Sequence, residues 1–277
     1  MPEPEYLQPV DTAHGAFARF YDELPLWSAP FALQMLERVP MVRGATILDI
    51  GCGTGFLALE LAQRCGADSR VYAIDPWPAA MAHLASKLEY YGIRNVELIE
   101  RDAAATDLPS ACADLIVSNL GINNFANAEG VLAECFRLAK PGARLLLTTN
   151  LAGHMRELYA AYRDALVDVG LAERLPALAA QEAHRGTVAS TRERLARAGF
   201  TWIGEHLSEF RMRCADGSAL LNHWFMRLAF IPGWKAVVDE QDAPRVFEAL
   251  ERRLNTIARS HGELALTVPL ALFDGRR

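Results

Sequence analysis

Continuous apolar runs alternate along the first half of the chain with stretches in which apolar residues recur every three or four positions. Continuous runs are typical of strands that are buried on both faces, and the second pattern is typical of helices with one buried face. The pattern predicts strands at 46–50, 71–75, 96–102, 113–121 and 143–150. It predicts helices within 12–40, at 56–64, after Trp77 and at 128–138, and we expect Pro25 and Pro30 to break the first of them. Strands that alternate with helices in this way indicate a mostly parallel sheet.

The second half of the chain is richer in helical patterns. It predicts helices at 154–171, 172–183, 187–198, 218–230 and 244–259, and strand regions at 200–213 and 263–273.

The first predicted strand runs directly into a glycine-rich loop, Gly51-Cys52-Gly53-Thr54-Gly55, which opens the helix at 56–64. Glycines remove side chains where a backbone turns sharply or a ligand comes close, and the N–H groups at the start of the helix are free. A dinucleotide-binding loop would have a third glycine at the position of Phe56, and a phosphate-binding loop would contain a lysine. The carboxylate of Asp49 before the loop favours a cationic or amine-bearing ligand, since it would repel a pyrophosphate.

Composition and charge exclude some classes of partner. The formal net charge is −6, from 28 basic and 34 acidic residues, and no basic run is present, which argues against nucleic acid as the main partner. The five cysteines form no C-x-x-C pair, so we expect reduced thiols in a cytoplasmic protein. We expect no role for a membrane, because no apolar run has transmembrane length and residues 1–10 do not resemble a signal peptide.

Residues 47–55 resemble the first motif of class I S-adenosylmethionine-dependent methyltransferases, and the resemblance extends from about residue 17 to 150. It is closest to the broad group that methylates small molecules. The resemblance implies a Rossmann-like α/β fold, with a seven-stranded, mostly parallel sheet, an antiparallel last strand and helices on both faces. It also implies S-adenosyl-L-methionine as the cofactor, S-adenosyl-L-homocysteine as the product, and no metal.

The resemblance assigns cofactor contacts residue by residue. It implies that Asp75 accepts hydrogen bonds from the ribose hydroxyls, that Asp102 accepts from the adenine amino group, and that Asn119 lies beside the methionine part. The alternatives are that Asp75 caps a helix and that Asp102 binds its own backbone. The predicted cofactor-binding residues are Tyr21, Asp49, Gly51, Cys52, Gly53, Asp75, Pro76, Trp77, Met81, Asp102, Ala103, Asn119 and Leu120.

Two long segments lie outside the minimal fold of the resembled family. We divide the chain into an N-terminal helical segment (1–40), a cofactor-binding core (41–151), a helical insertion (152–186), further core (187–213), a second helical insertion (214–262) and a final core strand (263–277). We expect the insertions to form a helical cap near the cofactor. The alternative is that they only add packing or form the face of a homodimer.

The activity that the resemblance implies is methyl transfer to an oxygen, nitrogen, carbon or sulfur atom of a small molecule by in-line displacement. The chain lacks the Asn/Asp-Pro-Pro-aromatic signature after its fourth strand, which argues against adenine and glutamine as targets. The predicted acceptor contacts are Asn123, Asn124, Tyr159, Tyr162, Trp224 and Arg227. No catalytic residue is identified; His154 and His223 are the main candidates for a general base, beside His184 and His206.

Two other functions remain open. One is methylation of an acyl group on an acidic carrier protein, which Arg211, Arg213 and Arg227 would contact. The other is a regulatory protein that binds the cofactor without transferring its methyl group. The glycine loop and the two aspartates support binding only, so they do not separate these alternatives from an enzyme.

Overall fold

The computed structural model describes residues 4–14, 16–22, 25–183 and 185–277, and within them the chain forms a seven-stranded sheet. The strand order is β3-β2-β1-β4-β5-β7-β6. The first five strands pair in parallel, and β7 pairs antiparallel with β5. The predicted fold class is therefore confirmed. The strands are β1 (Thr46–Ile50), β2 (Arg70–Ile74), β3 (Val96–Ile99), β4 (Ala113–Asn119), β5 (Ala139–Asn150), β6 (Thr201–Cys214) and β7 (Leu264–Arg276).

Helices connect the strands as the periodicity predicts. In chain order they are α1 (Phe17–Tyr21), α2 (Pro25–Leu36), α3 (Phe56–Arg64), α4 (Pro78–Tyr91), α5 (Ala128–Leu138), α6 (Arg156–Asp168), α7 (Leu175–Glu182), α8 (Val188–Arg197), α9 (Gly217–Asn222), α10 (Trp224–Ala229), α11 (Ile231–Lys235) and α12 (Ala243–His261). Within the described residues, none of these helices is both long and apolar enough to cross a membrane.

The chain divides into two compact units. The sheet unit comprises Ala13–Asn150, Thr187–Ser208 and Leu270–Arg277, and the helical unit comprises Met1–Thr12, Leu151–Gly186 and Glu209–Pro269. The first twelve residues thus group with the helical unit, whereas the rest of the N-terminal segment belongs to the sheet unit.

A core of the sheet unit forms from side chains of β1, α3 and α4. Ile47 on the strand and Leu57 and Leu61 on the helix are almost fully buried in one apolar cluster with Leu84 of α4. Burying a side chain of this size stabilises the fold by about 1.5–3 kcal/mol. The cluster therefore fixes the strand and helix on either side of the glycine loop.

The helical unit has its own core, in which α12 packs against α6 and α9. Trp234, Tyr162 and Phe247 are among its fully buried side chains. The hydroxyl of Tyr162 donates to the carbonyl of Trp234 over 2.9 Å, which satisfies a polar group inside this core.

Four local predictions need correction. Pro30 lies inside α2 and does not break it, although the helix loses the hydrogen bond that an N–H at this position would donate. The predicted helix 218–230 is two helices, because His223 has an extended backbone and accepts from the N–H of Phe225, which starts α10. Strand β3 ends at Ile99, before the turn that leads to Asp102. Strand β5 begins at Ala139, and a bulge at residues 140–142 absorbs the predicted turn.

Candidate functional site

The glycine loop between β1 and α3 is held in place by its backbone. The N–H groups of Gly51 and Cys52 both donate to the carbonyl of Ile74, at 2.9 and 3.1 Å. Gly51, Gly53 and Gly55 all have positive φ angles, of 72°, 53° and 90°. A side chain in this left-handed region costs about 1–2 kcal/mol, so the conformation itself favours glycine.

The three glycines differ in what a side chain would meet. A Cβ at Gly55 would lie 2.2 Å from Leu84 Cδ1, so internal packing excludes a side chain there. A Cβ at Gly51 would lie 3.3 Å from the ring of Phe125. A Cβ at Gly53 would have no described atom within 4 Å. The packing of the described residues therefore leaves open space beside Gly53.

Asp75 stabilises this loop through both carboxylate oxygens. Its Oδ2 accepts from the N–H of Gly53 at 2.8 Å, and its Oδ1 accepts from the N–H of Trp77 at 3.0 Å. The second bond forms a turn just before α4, whose N-cap residue is Trp77 and has no side-chain cap, so Asp75 does not cap that helix. Each oxygen can accept a further hydrogen bond, so the side chain can also bind ligand hydroxyls.

Asp49 on β1 is a buried acid, 1% exposed. Burial, and then the nearby charge of Asp75, raise its pKa to about 7, although a backbone hydrogen bond from Ala58 opposes this. Its Oδ2 has no hydrogen-bond partner among the described residues. A buried acceptor without a partner is costly, so this site fits a ligand that brings a donor or a positive charge.

Aromatic side chains connect α1 to the start of α4. The ring of Trp77 lies 5.5 Å from the rings of both Phe17 and Tyr21, measured between centroids. Tyr21 belongs to α1, is partly exposed, and meets Trp77 edge to face. Such pairs contribute about 0.5–1.5 kcal/mol beyond the burial of their surface.

A polar cluster beside these rings links the N-terminal segment to the glycine loop. Asp22 Oδ2 lies 2.6 Å from His83 Nε2 and 2.9 Å from Lys87 Nζ, and the same ammonium donates to the carbonyl of Thr54. Burial alone would raise the pKa of Asp22, but hydrogen bonds from Thr54 and Lys87 hold it below its ordinary value. The carboxylate is therefore charged at neutral pH and fastens α1 beside the loop.

Met81 and Cys52 fill the space behind the loop. Met81 is 3% exposed, and its Sδ lies 3.8 Å from Cys52 Sγ. Burial, with the charges of Asp49 and Asp75, raises the pKa of the Cys52 thiol, so it stays protonated. Pro76 is exposed beside Trp77.

Asp102 lies in the loop after β3 and is exposed. Its Oδ1 accepts from the N–H of Ala104 at 2.8 Å, so it does bind its own backbone, as the alternative predicted. Ala103, between these two residues, is buried. The other oxygen of Asp102 remains available to a ligand.

The end of β4 bears a second set of polar groups. Asn119 Oδ1 accepts from Thr148 Oγ1 at 2.7 Å, and its Nδ2 donates to the carbonyl of Ser28 at 3.2 Å. Leu120 follows with a φ of 63°, unusual for a residue with a side chain, and its N–H donates to the carbonyl of Thr148. Backbone strain of this kind is common at ligand sites.

Asn123 and Asn124 follow in a short helical turn, and they differ in exposure. Asn124 is exposed. The side chain of Asn123 is held on both sides, since its Nδ2 donates to Asn150 Oδ1 at 2.9 Å and its Oδ1 accepts from Thr149 Oγ1 at 2.6 Å. Thr148, Thr149 and Asn150 were not among the predicted site residues. The signal for them was present, because these three polar residues directly follow the apolar run 145–147 at the end of the strand.

The predicted acceptor residues of the helical unit lie in different surroundings. Tyr159 and Tyr162 are buried, and Tyr159 accepts from Trp234 Nε1 at 3.3 Å. Trp224 is 39% exposed. Arg227 forms an ion pair with Glu5 at 3.1 Å.

The candidate bases are also dispersed. His154 is buried against the rings of Tyr159 and Phe230, and His223 caps α10. His206 is exposed on β6, and His184 lies outside the described residues. The position of none of these described histidines identifies it as a general base.

Comparisons with known proteins agree with this geometry. Residues 47–142 match the family described as a methyltransferase domain. The chain is 26% identical over 256 residues to the nocamycin O-methyltransferase of Saccharothrix syringae, covering 89% of this chain and 90% of that protein. It is 26% identical over 150 residues to the aklanonic acid methyltransferase DauC of Streptomyces sp. (strain C5), covering 54% of this chain and 68% of that one.

The structure is also similar to a solved S-adenosylmethionine-dependent methyltransferase from Aquifex aeolicus. The TM-score is 0.50 at 22% sequence identity, over 63% of this chain and 81% of that chain. The fold, the glycine loop and the match over residues 47–142 support a class I S-adenosylmethionine-dependent methyltransferase. The same findings support S-adenosylmethionine as the cofactor.

Proposed function

We propose that this protein transfers a methyl group from S-adenosylmethionine to a small-molecule acceptor. The observation that carries the proposal is the pairing of a buried, unsatisfied Asp49 oxygen with an adjacent loop that leaves open space at Gly53. A ligand that bears a hydrogen-bond donor would satisfy the Asp49 oxygen and occupy the open space at Gly53. The relatives add support, since the names of two of them specify nocamycin and aklanonic acid methylation.

The chain's own residues fit this cofactor. Asp75 would accept from the ribose hydroxyls while it holds the loop, and the free oxygen of Asp102 would accept from the adenine amino group. Asp49 would attract the amino group of the methionine part, directly or through the loop. Tyr21 and Trp77 would cover the site, with Gly51, Cys52, Pro76, Met81, Ala103, Asn119 and Leu120 as the further predicted contacts.

The bound cofactor supplies an activated methyl group on a sulfonium. The protein's task in such a transfer is to align the acceptor with that group and to exclude water. The rigid loop and the fixed Asn119 and Asn123 side chains suit alignment. We assign no general base, because an acceptor that is already ionised does not need one.

Acceptor selection is proposed to depend on residues outside the matched domain. The domain ends at residue 142, so it contains none of the helical unit. A segment that lies outside a shared domain is free to differ between enzymes with different acceptors. Contacts of the acceptor with Tyr159, Tyr162, Trp224 and Arg227 stay predictions, as do contacts with Asn123 and Asn124.

Methylation on a carrier protein is less well supported. Two of the three arginines that would contact an acidic carrier already pair with carboxylates, Arg213 with Glu263 at 2.9 Å and Arg227 with Glu5 at 3.1 Å. Their charges are therefore partly neutralised.

We also propose that the enzyme acts in the cytoplasm, since all five cysteines are free thiols. The predicted homodimer remains to be tested by light scattering.

The deciding experiment has two stages. Calorimetry with S-adenosylhomocysteine tests cofactor binding, and we expect micromolar affinity. Turnover of methyl-labelled S-adenosylmethionine is then measured against phenols, carboxylic acids and thiols, and separately against an acyl-loaded carrier protein. Transfer to small molecules supports the proposal, transfer to the carrier alone supports the second function, and binding without any transfer supports the regulatory one.

A further inference from the structure

Asn150, the last residue of β5, places an unsatisfied amide inside the sheet unit. Its side chain is 1% exposed. Its Oδ1 accepts from Asn123, but its Nδ2 has no hydrogen-bond partner within the residues that the structure describes. A buried donor without a partner costs about 1–3 kcal/mol. A bound partner that accepts a hydrogen bond from this amide would remove the cost.

The neighbours of this amide bear on its orientation. The hydroxyl of Thr149 lies 2.6 Å from Asn123 Oδ1 and 3.0 Å from the carbonyl oxygen of Asn150, and we assign its single proton to the shorter contact. The amide nitrogen of Asn123 then faces Asn150 Oδ1. With Oδ1 of Asn150 engaged in this way, Nδ2 is the group left to donate. Thr149 and Asn123 thus position Asn150 without using its donor.

This amide is close to the reaction site along a chain of contacts. Asn123 lies in the turn that begins at Gly121, and a Cβ added at Gly51 of the glycine loop would lie 3.5 Å from Gly121 Cα. Strand β5 also pairs with β4, whose end bears Asn119. Asn150 therefore lies on the same edge of the sheet as the residues assigned to the methionine part of the cofactor.

We propose that Asn150 Nδ2 donates a hydrogen bond to an oxygen of the acceptor and so selects acceptors that bear a carbonyl, phenolate or carboxylate oxygen. The proposal rests on the methyltransferase function proposed above and deepens it. A hydrogen bond from a buried donor holds an acceptor that bears an oxygen in place. This contribution is lost when the oxygen is missing, since the buried amide is then unpaired again. Asn150 would thereby distinguish oxygen-bearing acceptors from amines and thiols.

The test uses three oxygen-bearing probes, 1-naphthol, 2-naphthoic acid and 2-hydroxy-1,4-naphthoquinone, titrated into the full-length protein saturated with S-adenosylhomocysteine. Asn150→Asp keeps an acceptor for Asn123 and replaces the donor with a carboxylate oxygen. We expect at least tenfold weaker binding of the probe that binds wild type best, with cofactor affinity within twofold.

Asn127→Asp is the matched control, because Asn127 caps α5 with its side-chain oxygen and keeps an acceptor after the change. It should leave probe binding unchanged. If Asn150→Asp does not fold, Asn150→Ala is measured for the same ratio of probe to cofactor affinity.

Equal probe affinity in the Asn150 variant and wild type would overturn the proposal. So would a parallel loss of probe and cofactor affinity with a lower melting temperature, which indicates a structural role. Binding of none of the three probes by a wild-type protein that binds S-adenosylhomocysteine would overturn the acceptor class. Failure of wild type to bind S-adenosylhomocysteine would instead refute the proposed function.

Discussion

The carboxylate of Asp75 accepts a hydrogen bond from the backbone N–H of Gly53 over 2.8 Å, across 22 positions of sequence. One side chain at the end of β2 thus fixes the loop that follows β1. The residue assigned to the ribose is therefore also a structural part of the glycine loop, and any change to it has two consequences.

Asp75→Ala should lower both cofactor affinity and stability. Charge-assisted hydrogen bonds contribute about 1.5–3 kcal/mol each, so affinity for S-adenosylhomocysteine should fall at least tenfold. The melting temperature should also fall by a few degrees, because Gly53 and Trp77 lose their acceptor. Asp75→Asn keeps one acceptor oxygen. We expect it to lower the melting temperature less than Asp75→Ala does, while affinity for S-adenosylhomocysteine still falls. Calorimetry and thermal unfolding measure the two effects, and unchanged affinity would contradict the ribose assignment.

Gly53→Ala and Gly55→Ala should differ in their effects on cofactor binding and on stability. Both residues have positive φ angles, so each change costs about 1–2 kcal/mol of backbone strain. Only Gly55→Ala also forces a contact with Leu84, which adds about 1–3 kcal/mol. Gly55→Ala should therefore unfold at a clearly lower denaturant concentration than Gly53→Ala.

For cofactor binding we expect the opposite order: among variants that fold, Gly53→Ala should lose more affinity than Gly55→Ala. Gly53→Ala should lose most of its affinity for S-adenosylhomocysteine. Gly92→Ala serves as the control, because Gly92 has a φ of 67° and open space but ends α4 away from the loop. If Gly53→Ala binds as well as Gly92→Ala, the open space at Gly53 is not part of the cofactor site.

Asp49 should make the ligand-free protein less stable as pH rises. Its folded pKa of about 7 lies above its unfolded value of 3.8, so the folded state binds the extra proton between these two values. By linkage, stability falls as pH increases through this window and levels off above pH 7. Between pH 5.5 and 8, the melting temperature of wild type should decline more steeply than that of Asp49→Asn.

The same titration should appear in cofactor binding. A positively charged group on the ligand favours the ionised Asp49, so binding near pH 6 should release a proton. Calorimetry in buffers with different ionisation enthalpies measures this release. Equal release by wild type and Asp49→Asn would assign the proton to another group.

Trp224→Ala should affect the acceptor and spare the cofactor. Trp224 is exposed on α10 in the helical unit and can offer a large apolar surface with a polar edge. We expect KM for the acceptor to rise several-fold while affinity for S-adenosylhomocysteine stays within about twofold, since all the predicted cofactor contacts lie before residue 125. Tyr90→Ala, which removes a ring that is 87% exposed on α4, is the control. A lower melting temperature without a change in KM would indicate packing only.

The sequence predicted local elements well. The bounds of β1, α3 and α5 agree with the structure to the residue, because an apolar run and a capped amphipathic pattern are local signals. The corrections at Pro30 and His223 have a different origin. Tertiary packing kept one helix continuous through a proline, and one side-chain cap divided a pattern that read as continuous.

Polar networks were harder to predict than elements. Asn123 was identified because it follows a strand, but its partners Thr149 and Asn150 lie 26 and 27 positions further along. Only the pairing of β4 with β5 brings them together, and no local pattern contains that register. Likewise Tyr6 donates to Glu251 at 2.9 Å, a contact within the helical unit that joins residues 245 positions apart.

The interleaving of the two units along the chain has a consequence for synthesis. Strand β7 pairs with β5, but the ribosome completes both helical insertions between them. Until β7 has been synthesised, the edge of β5 with which it pairs has no partner strand. An open strand edge of this kind promotes aggregation. The helical unit is also incomplete until the residues after 208 have been synthesised, because Tyr6 and α6 both contact α12. Neither unit is one continuous stretch of the chain, and each includes residues after 260, so neither can be complete before the end of translation.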